Sequence, residues 1–464
     1  MADLTLRNGT VVTPTGLVRG GLSASGGIIT HVGVDAELPQ GDTDIDVDGK
    51  VLLPGLIDPH VHLGIGPGGG PEKLHADFIS ESRDAAAGGV TTMITTTLFG
   101  TESRGEVAEL AIKEGNANSL VDFRLTGIML TRDHLAEVAD LVKLGLRSFK
   151  FFLGYKGDQA ESFGMTREGA SWDFFYEACE AIGAASPKAF PTVHCEDPWV
   201  RDFLTARMRG SGANRQLQRW LETSPNILEP MQIYPAALIA NEVGTPVYVV
   251  HTSAWQSVDL VRDLKDRGWE TYSETIAAFL YWTAPEADAK NKGAIGKIQP
   301  PIRLDRDRDE LWRGIKDGTV TSIGTDCQMY PHSTRQGDFW DAMVGLGPGM
   351  GTLLSAVHTS GVLKGRITFE DLARVTSENT ARRFDLYPQK GALAVGSDAD
   401  VVVFDPTAEK TVTADGLESA AGYSLYEGET LTGWPAQVFV RGSLVFDGGR
   451  IVDTSRIGRH VPAN

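Results

Sequence analysis

Cysteine is scarce in this chain, with only Cys179, Cys195 and Cys327 among 464 residues, so a disulfide framework is excluded as its source of stability. No uncharged apolar run approaches the roughly 18 residues that a membrane span needs. Basic residues are in deficit, 43 Lys and Arg against 61 Asp and Glu, for a formal charge of −18. That balance argues against nucleic acid or an anionic membrane as a partner. The opening residues MADLTLRNGTVV lack the apolar core of a signal peptide, and the expected location is the cytoplasm. Low-complexity segments and short-period repeats are missing too. What is present is a globular composition, 41% hydrophobic and 22% charged, able to bury a core. The length excludes one small module and fits a large α/β barrel with an appendage, or two to three smaller domains.

Residues 1–54 are short β-prone runs broken by Gly and Asp, such as LTLRNGTVV, GGIITHVGV and DIDVDGKVLLP. The C-terminal stretch DADVVVFDP and AQVFVRGSLVFDGGRIV reads the same way. Between them, strand-like runs alternate with amphipathic stretches, the βα pattern of a parallel sheet. Eight strands are expected, in GLIDPHVHL, VTTMITTTL, VDFRLTGIM, RSFKFFLGY, FPTVHCED, TPVYVVHTS, WETYSETIAAF and VTSIGTDC. Helices are expected in ADFISESRDAAAGG, HLAEVADLVKLG, SWDFFYEACEAIGAA and SAWQSVDLVRDLKDRG. The predicted architecture is a (β/α)₈ TIM barrel over residues 55–388, with a small β-sandwich built from residues 1–54 and 389–464. The loop GIGPGGG at 64–70 lacks the Lys-Ser/Thr of a phosphate-binding P-loop.

Function in a barrel collects at the C-terminal ends of its strands, and reactive side chains recur there. His60 and His62 close the first strand, Lys150 lies in the fourth, His194 ends the fifth, His251 the sixth and Asp326 the eighth. Residues two apart share a strand face, so His60 and His62 both point into the barrel mouth, where neutral imidazoles bind divalent cations. The joint placement of four histidines and an aspartate predicts a metal site. His31, His75, His134, His332, His358 and His460 lack such a context and are expected to be ordinary hydrogen-bonded residues, although His75 and His332 lie in loops near the mouth. Cys195 and Cys327 flank ligand positions and are read as packing residues rather than extra soft ligands.

Lys150 admits two readings from its residue type. A cationic ammonium repels a metal, so either it snorkels to solvent or pairs with Asp326, or its neutral amine reacts with carbon dioxide to give an anionic carbamate. Burial and nearby positive charge favour the neutral amine.

PGLIDPHVHLG, SFKFFLGYKG, VHCED, VVHTS, IGTDC and SENTARRFDLYPQKGALAVGSDADVVVFDP together resemble the amidohydrolase superfamily, and within it the cyclic amidohydrolases, the hydantoinase and dihydropyrimidinase group. The resemblance runs in order from the N-terminal sheet to near residue 460. It implies a hydrolase that opens a cyclic amide or imide ring by attack of a hydroxide bridging two metal ions. His60, His62 and Asp326 would bind the buried metal, His194 and His251 the exposed one, and carboxylated Lys150 would bridge them. The metals implied are Zn²⁺, with Mn²⁺ as the alternative. Tyr155 would steady the oxyanion, and Asp326 would carry the proton to the leaving nitrogen.

The chain also departs from that pattern. Gln299 replaces the serine of Ser-Pro-Pro-Leu-Arg, and Gly345 stands where the family has asparagine. Gln299, Gly345, Ile65 and Phe152 join Tyr155 as expected substrate contacts. The glycine-rich mouth, with Ile65, Phe99 and Phe152 nearby, suggests room for a bulky ring substituent or else a mobile loop. Gly64 stands where dihydroorotase-like enzymes use arginine to pair a substrate carboxylate, which favours a neutral ring. Alternatives on the same site are an allantoinase-like or acyclic amide hydrolase, and a non-catalytic scaffold. Relatives of this group imply a homo-oligomer, a tetramer or dimer.

Overall fold

The computed structural model describes residues 2–98, 100, 102–209, 216–452 and 456–463; Phe99 lies outside the described residues. Eight parallel strands line up in chain order: β1 (Leu56–His62), β2 (Val90–Thr96), β3 (Asp122–Ile128), β4 (Ser148–Phe152), β5 (Phe190–His194), β6 (Val247–Val249), β7 (Thr271–Ile276) and β8. The eighth is in two pieces. Ser322–Gly324 pairs with β7, Ile276 opposite Gly324, and Cys327–Gln328 pairs with β1, Cys327 opposite Val61 and Gln328 opposite His62. The strand therefore crosses from its predecessor to the first strand at Thr325–Asp326 and closes the barrel.

Nearly every strand residue is buried, as expected where helices cover one face and the packed interior the other. The intervening helices are amphipathic. Trp172–Ala185 buries Phe174, Phe175, Ala178, Cys179 and Ile182, one stripe at helical spacing, each large side chain worth about 1.5–3 kcal/mol of transfer free energy. One expected helix differs: Arg132–Glu137 is a 3₁₀ turn and only Val138–Lys143 is α-helical. The ring of buried His134 accepts from Leu130 N–H at 3.1 Å, a local bond that competes with regular helix.

The two ends of the chain share one mixed sheet. Val401–Thr411 runs antiparallel to Val51–Pro54, with Val401 opposite Pro54, and Ala2–Thr13 lies on the other side of Val51–Pro54. Leu4, Leu6, Leu22, Leu52, Val401 and Phe439 form its core. Lys390 ties this sheet to the barrel: its ammonium lies 2.5 Å from Asp122 of β3, 2.9 Å from Asp398 and 2.7 Å from Asp400. Among the described residues no helix is long and apolar enough to cross a membrane.

Candidate metal centre

On β1, strand alternation turns His60 and His62 to the same side, their Nε2 atoms 3.0 Å apart. Asp58 holds the strand end to the gap in β8: its carboxylate accepts from His60 N–H at 3.2 Å and from the Thr325 N–H and hydroxyl at 3.1 and 2.5 Å. The next residue, Asp326, takes a left-handed backbone with φ of 51° and brings Oδ1 to 3.2 Å from His62 Nε2 and 3.5 Å from His60 Nε2. Lys150, from the middle of β4, places Nζ 3.1 Å from His60 Nε2. His194 ends β5, whereas His251 sits two residues past β6, also left-handed with φ of 40°; His194 Nδ1 and His251 Nε2 are 2.9 Å apart. All six side chains are almost wholly buried.

Burial drives the chemistry of this cluster. It holds His60, His194 and His251 well below the ordinary imidazole pKa and lowers His62 as well, so the rings are neutral bases. It pushes the Lys150 ammonium down to about 8. Burial opposes ionisation of Asp326, but the facing His60, the hydrogen bond from His62 and His251 together hold its carboxyl below the usual range. His194 Nε2 and His251 Nδ1 are buried without a hydrogen-bond partner among the described residues. Separations of 3.0–3.5 Å match the ligand-to-ligand edge, roughly 3.3 Å, of a tetrahedral set at zinc–nitrogen bond lengths. Imidazole and carboxylate donors of this kind suit first-row divalent metals, and the donor set fits such ions.

Tyr155, just beyond β4, stacks on Phe152 and Phe163 with centroids 5.1 Å away in each case, and its ring lies 4.7 Å from that of His194. Burial pushes its hydroxyl pKa up, which keeps it a protonated donor. Tyr155, Ile65, Phe152, Gln299 and Gly345 line one cavity with His62, Lys150, His194, His251 and Asp326, and His60 sits beneath it. This cavity adjoins a larger one of about 930 Å³ beside the 64–70 loop. Gly66 in that loop has φ of +87°, and a Cβ there would meet the Tyr330 ring at 2.3 Å, so glycine is required.

Sequence reasoning missed Glu274, in the interior of β7. Its Oε1 lies 3.2 Å from His60 Nδ1 and 3.4 Å from His251 N–H, and burial raises its carboxyl to about 8. Thr96 Oγ1 takes the matching place 2.9 Å from His62 Nδ1. Such partners fix which ring nitrogen faces a metal. The signal was a glutamate in the middle of a buried strand. Gln328 and Tyr330 of the cavity wall carried no recognisable spacing. His75 lies 2.9 Å from Glu114, His358 2.7 Å from the Thr432 carbonyl, and His332 stacks on Tyr423; none of these lines the cavity. Cys195 and Cys327 are buried with thiol pKa values raised by that burial, the state of packing residues.

Residues 250–445 match the model of the amidohydrolase family. The whole chain is 31% identical to a D-hydantoinase of Geobacillus stearothermophilus, covering 98% of this chain and 95% of that one. It is 30% identical to a D-hydantoinase of Ralstonia pickettii, covering 98% of each. Among solved structures, the L-hydantoinase (dihydropyrimidinase) from Arthrobacter aurescens superposes with a TM-score of 0.89 at 26% identity over 100% of both chains. The dihydropyrimidinase from Brevibacillus agri gives 0.88 at 27% identity over 99% of this chain and 98% of that one.

Proposed function

Because the chain belongs to the cyclic amidohydrolases, the hydantoinase and dihydropyrimidinase group of the amidohydrolase family, we propose that it opens cyclic ureides and imides with a pair of divalent cations. The observation that carries this reading is the convergence of four neutral imidazoles, a lysine and an aspartate at separations near 3 Å in one buried cavity. His60, His62 and Asp326 would hold one ion and His194 and His251 the other, with Lys150, as a carbamate, a ligand shared by both. The ions are Zn²⁺, with Mn²⁺ as the alternative. When bound, such a pair would supply a water acidic enough to act as nucleophile at neutral pH and a Lewis acid for the carbonyl.

The chain's own residues do the rest. Burial pushes the Lys150 ammonium down to about 8, which enlarges the share of neutral amine, the form that adds carbon dioxide and releases one proton as the carbamate forms. Asp326, ionised and facing the histidines, takes the proton of the attacking water at its carboxylate and delivers it to the ring nitrogen as the C–N bond breaks; an unprotonated amide nitrogen is a poor leaving group. Tyr155 donates its hydroxyl proton in a hydrogen bond to the carbonyl oxygen as negative charge builds there. Ile65, Phe152 and the Tyr155 ring exclude water from the ring faces. We also infer a homo-oligomer, dimer or tetramer, acting in the cytoplasm; Trp199 and Phe203, 58% and 65% exposed on one helix face, are a surface it would bury.

The test is metal analysis joined to a ring-opening screen by absorbance across hydantoins, dihydrouracil, allantoin and cyclic imides. About two metals per chain and turnover of at least one ureide or imide are expected. Protein prepared with bicarbonate and divalent salt that retains no stoichiometric metal, or opens no ring, overturns the reading.

A further inference from the structure

Three carboxamides line the catalytic cavity, Gln159, Gln299 and Gln328; Gln159 Oε1 accepts from Arg201 at 3.0 Å, and each of the other two has a feature that its role as wall does not explain. Gln299 is 7% exposed, lines the cavity, and its Nε2 has no hydrogen-bond partner among the described residues. A buried amide donor without a partner is costly, of the order of 1–3 kcal/mol, so its retention points to a partner that arrives with a ligand. Gln328 stands opposite His62 in the pairing of β8 with β1. Its Nε2 lies 3.3 and 3.5 Å from the two oxygens of Asp326. That leaves its oxygen as the free end, directed at Gly345. A Cβ on Gly345 would meet that oxygen at 2.3 Å, and the φ of +140° is itself a glycine conformation. Gly345 and the Gln328 carboxamide therefore occupy one space between them.

The backbone at 345 is already engaged. Its N–H donates to the Lys297 carbonyl at 3.1 Å and its carbonyl accepts from Arg335 at 2.6 Å. The Gln299 and Gln328 carboxamides remain as polar groups lining the cavity. An imide or ureide presents an N–H between two carbonyls, and a carboxamide carries the complementary donor and acceptor.

Resting on the cyclic-amide reading above, we propose that Gln299 and Gln328 are specificity-determining residues: Gln299 donates to the second carbonyl of the ring, the one that is not attacked, and Gln328 accepts from the ring N–H between the two carbonyls. The site is then matched to rings with two carbonyls flanking the nitrogen. A lactam, with one, leaves Gln299 unsatisfied, and a site built around a hydrogen bond discriminates strongly against a ligand that lacks it.

The experiment compares metal-loaded wild type with Gln299→Leu and Gln299→Glu, which preserve size and remove the donor. It measures kcat and KM for a hydantoin and for dihydrouracil, and the inhibition constant of 2-pyrrolidinone, a lactam with no second carbonyl. Both variants should raise KM for the ureides at least about tenfold, with smaller changes in kcat, and leave the lactam constant within about twofold. If Gln299→Leu fails to give the wild-type circular dichroism spectrum, Gln299→Glu is read alone. Equal changes for ureide and lactam, or an unchanged KM, overturn the proposal. Wild type that opens neither ureide strikes instead at the underlying reading of the site.

Discussion

Glu274 Oε1 lies 3.2 Å from His60 Nδ1, while Lys150 Nζ lies 3.1 Å from Nε2 of the same ring. One imidazole thus has a carboxyl at its back and an amine at its front. The carboxyl fixes the tautomer in which Nε2 carries the lone pair. Glu274→Gln keeps the shape and weakens that bond, and a loss of 10–100-fold in metal affinity is expected. Competition with a chelator measures it; an unchanged affinity removes Glu274 from the metal site.

In the proposed mechanism Asp326 both binds a metal and moves a proton. Asp326→Asn retains a ligand oxygen and loses the proton acceptor, so metal content should largely survive while kcat falls by 10²–10⁴ or more. Mass spectrometry of the intact loaded protein beside a turnover assay separates the two roles. Near-wild-type turnover in a metal-loaded variant refutes the proton role.

A different pair of carboxyls sets a pH limit on stability. Glu81 and Asp84, on helix Pro71–Ala87, are buried, and Glu81 Oε2 and Asp84 Oδ1 have no hydrogen-bond partner among the described residues. Burial raises Glu81 to about 8 and Asp84 to about 6, each further than its ordinary carboxyl value. Raised folded-state values mean that the folded chain holds protons the unfolded chain releases, so their contribution is full below about pH 4 and is lost as pH rises through 6 to 8. Glu81→Gln should leave Tm near pH 5 almost unchanged and raise it at pH 9. A variant whose Tm shifts equally at both pH values contradicts this assignment.

Lys390 is the cation for three buried carboxylates, and Asp122 also pairs with Arg441. Asp122, Asp398 and Asp400 alone have the look of a cation site, which the ammonium already fills. Lys390→Met strands the carboxylates, and breaking such a buried pair costs about 3–5 kcal/mol. Urea denaturation should show that loss; less than about 1 kcal/mol would mean that water reaches the cluster.

Alternation on β1 made His60 and His62 legible as a pair, and the recurrence of ligand-type residues at strand ends made their convergence at the barrel mouth legible. Local patterns of this kind survive folding because a strand cannot turn one residue without its neighbour. Glu274 was not legible, because its meaning comes from a histidine 214 residues away and nothing in SETIAAF marks that encounter. The break in the eighth strand was hidden for the same reason: it is set by Asp58 reaching Thr325 across the closing seam. At Arg132–Glu137 the start of the expected helix gave way to a 3₁₀ turn around a buried histidine ring, an event that helix propensity does not register.

Val51–Pro54 finds its antiparallel neighbour in Val401–Thr411, about 350 positions further along. During synthesis the early hairpins leave the ribosome with an unpaired flank, and the whole cylinder must emerge before the missing strand arrives. Such distant pairings form slowly and an open sheet flank invites other chains. Nascent chains halted before residue 401 are therefore where this protein is most exposed to clumping and most in need of a chaperone.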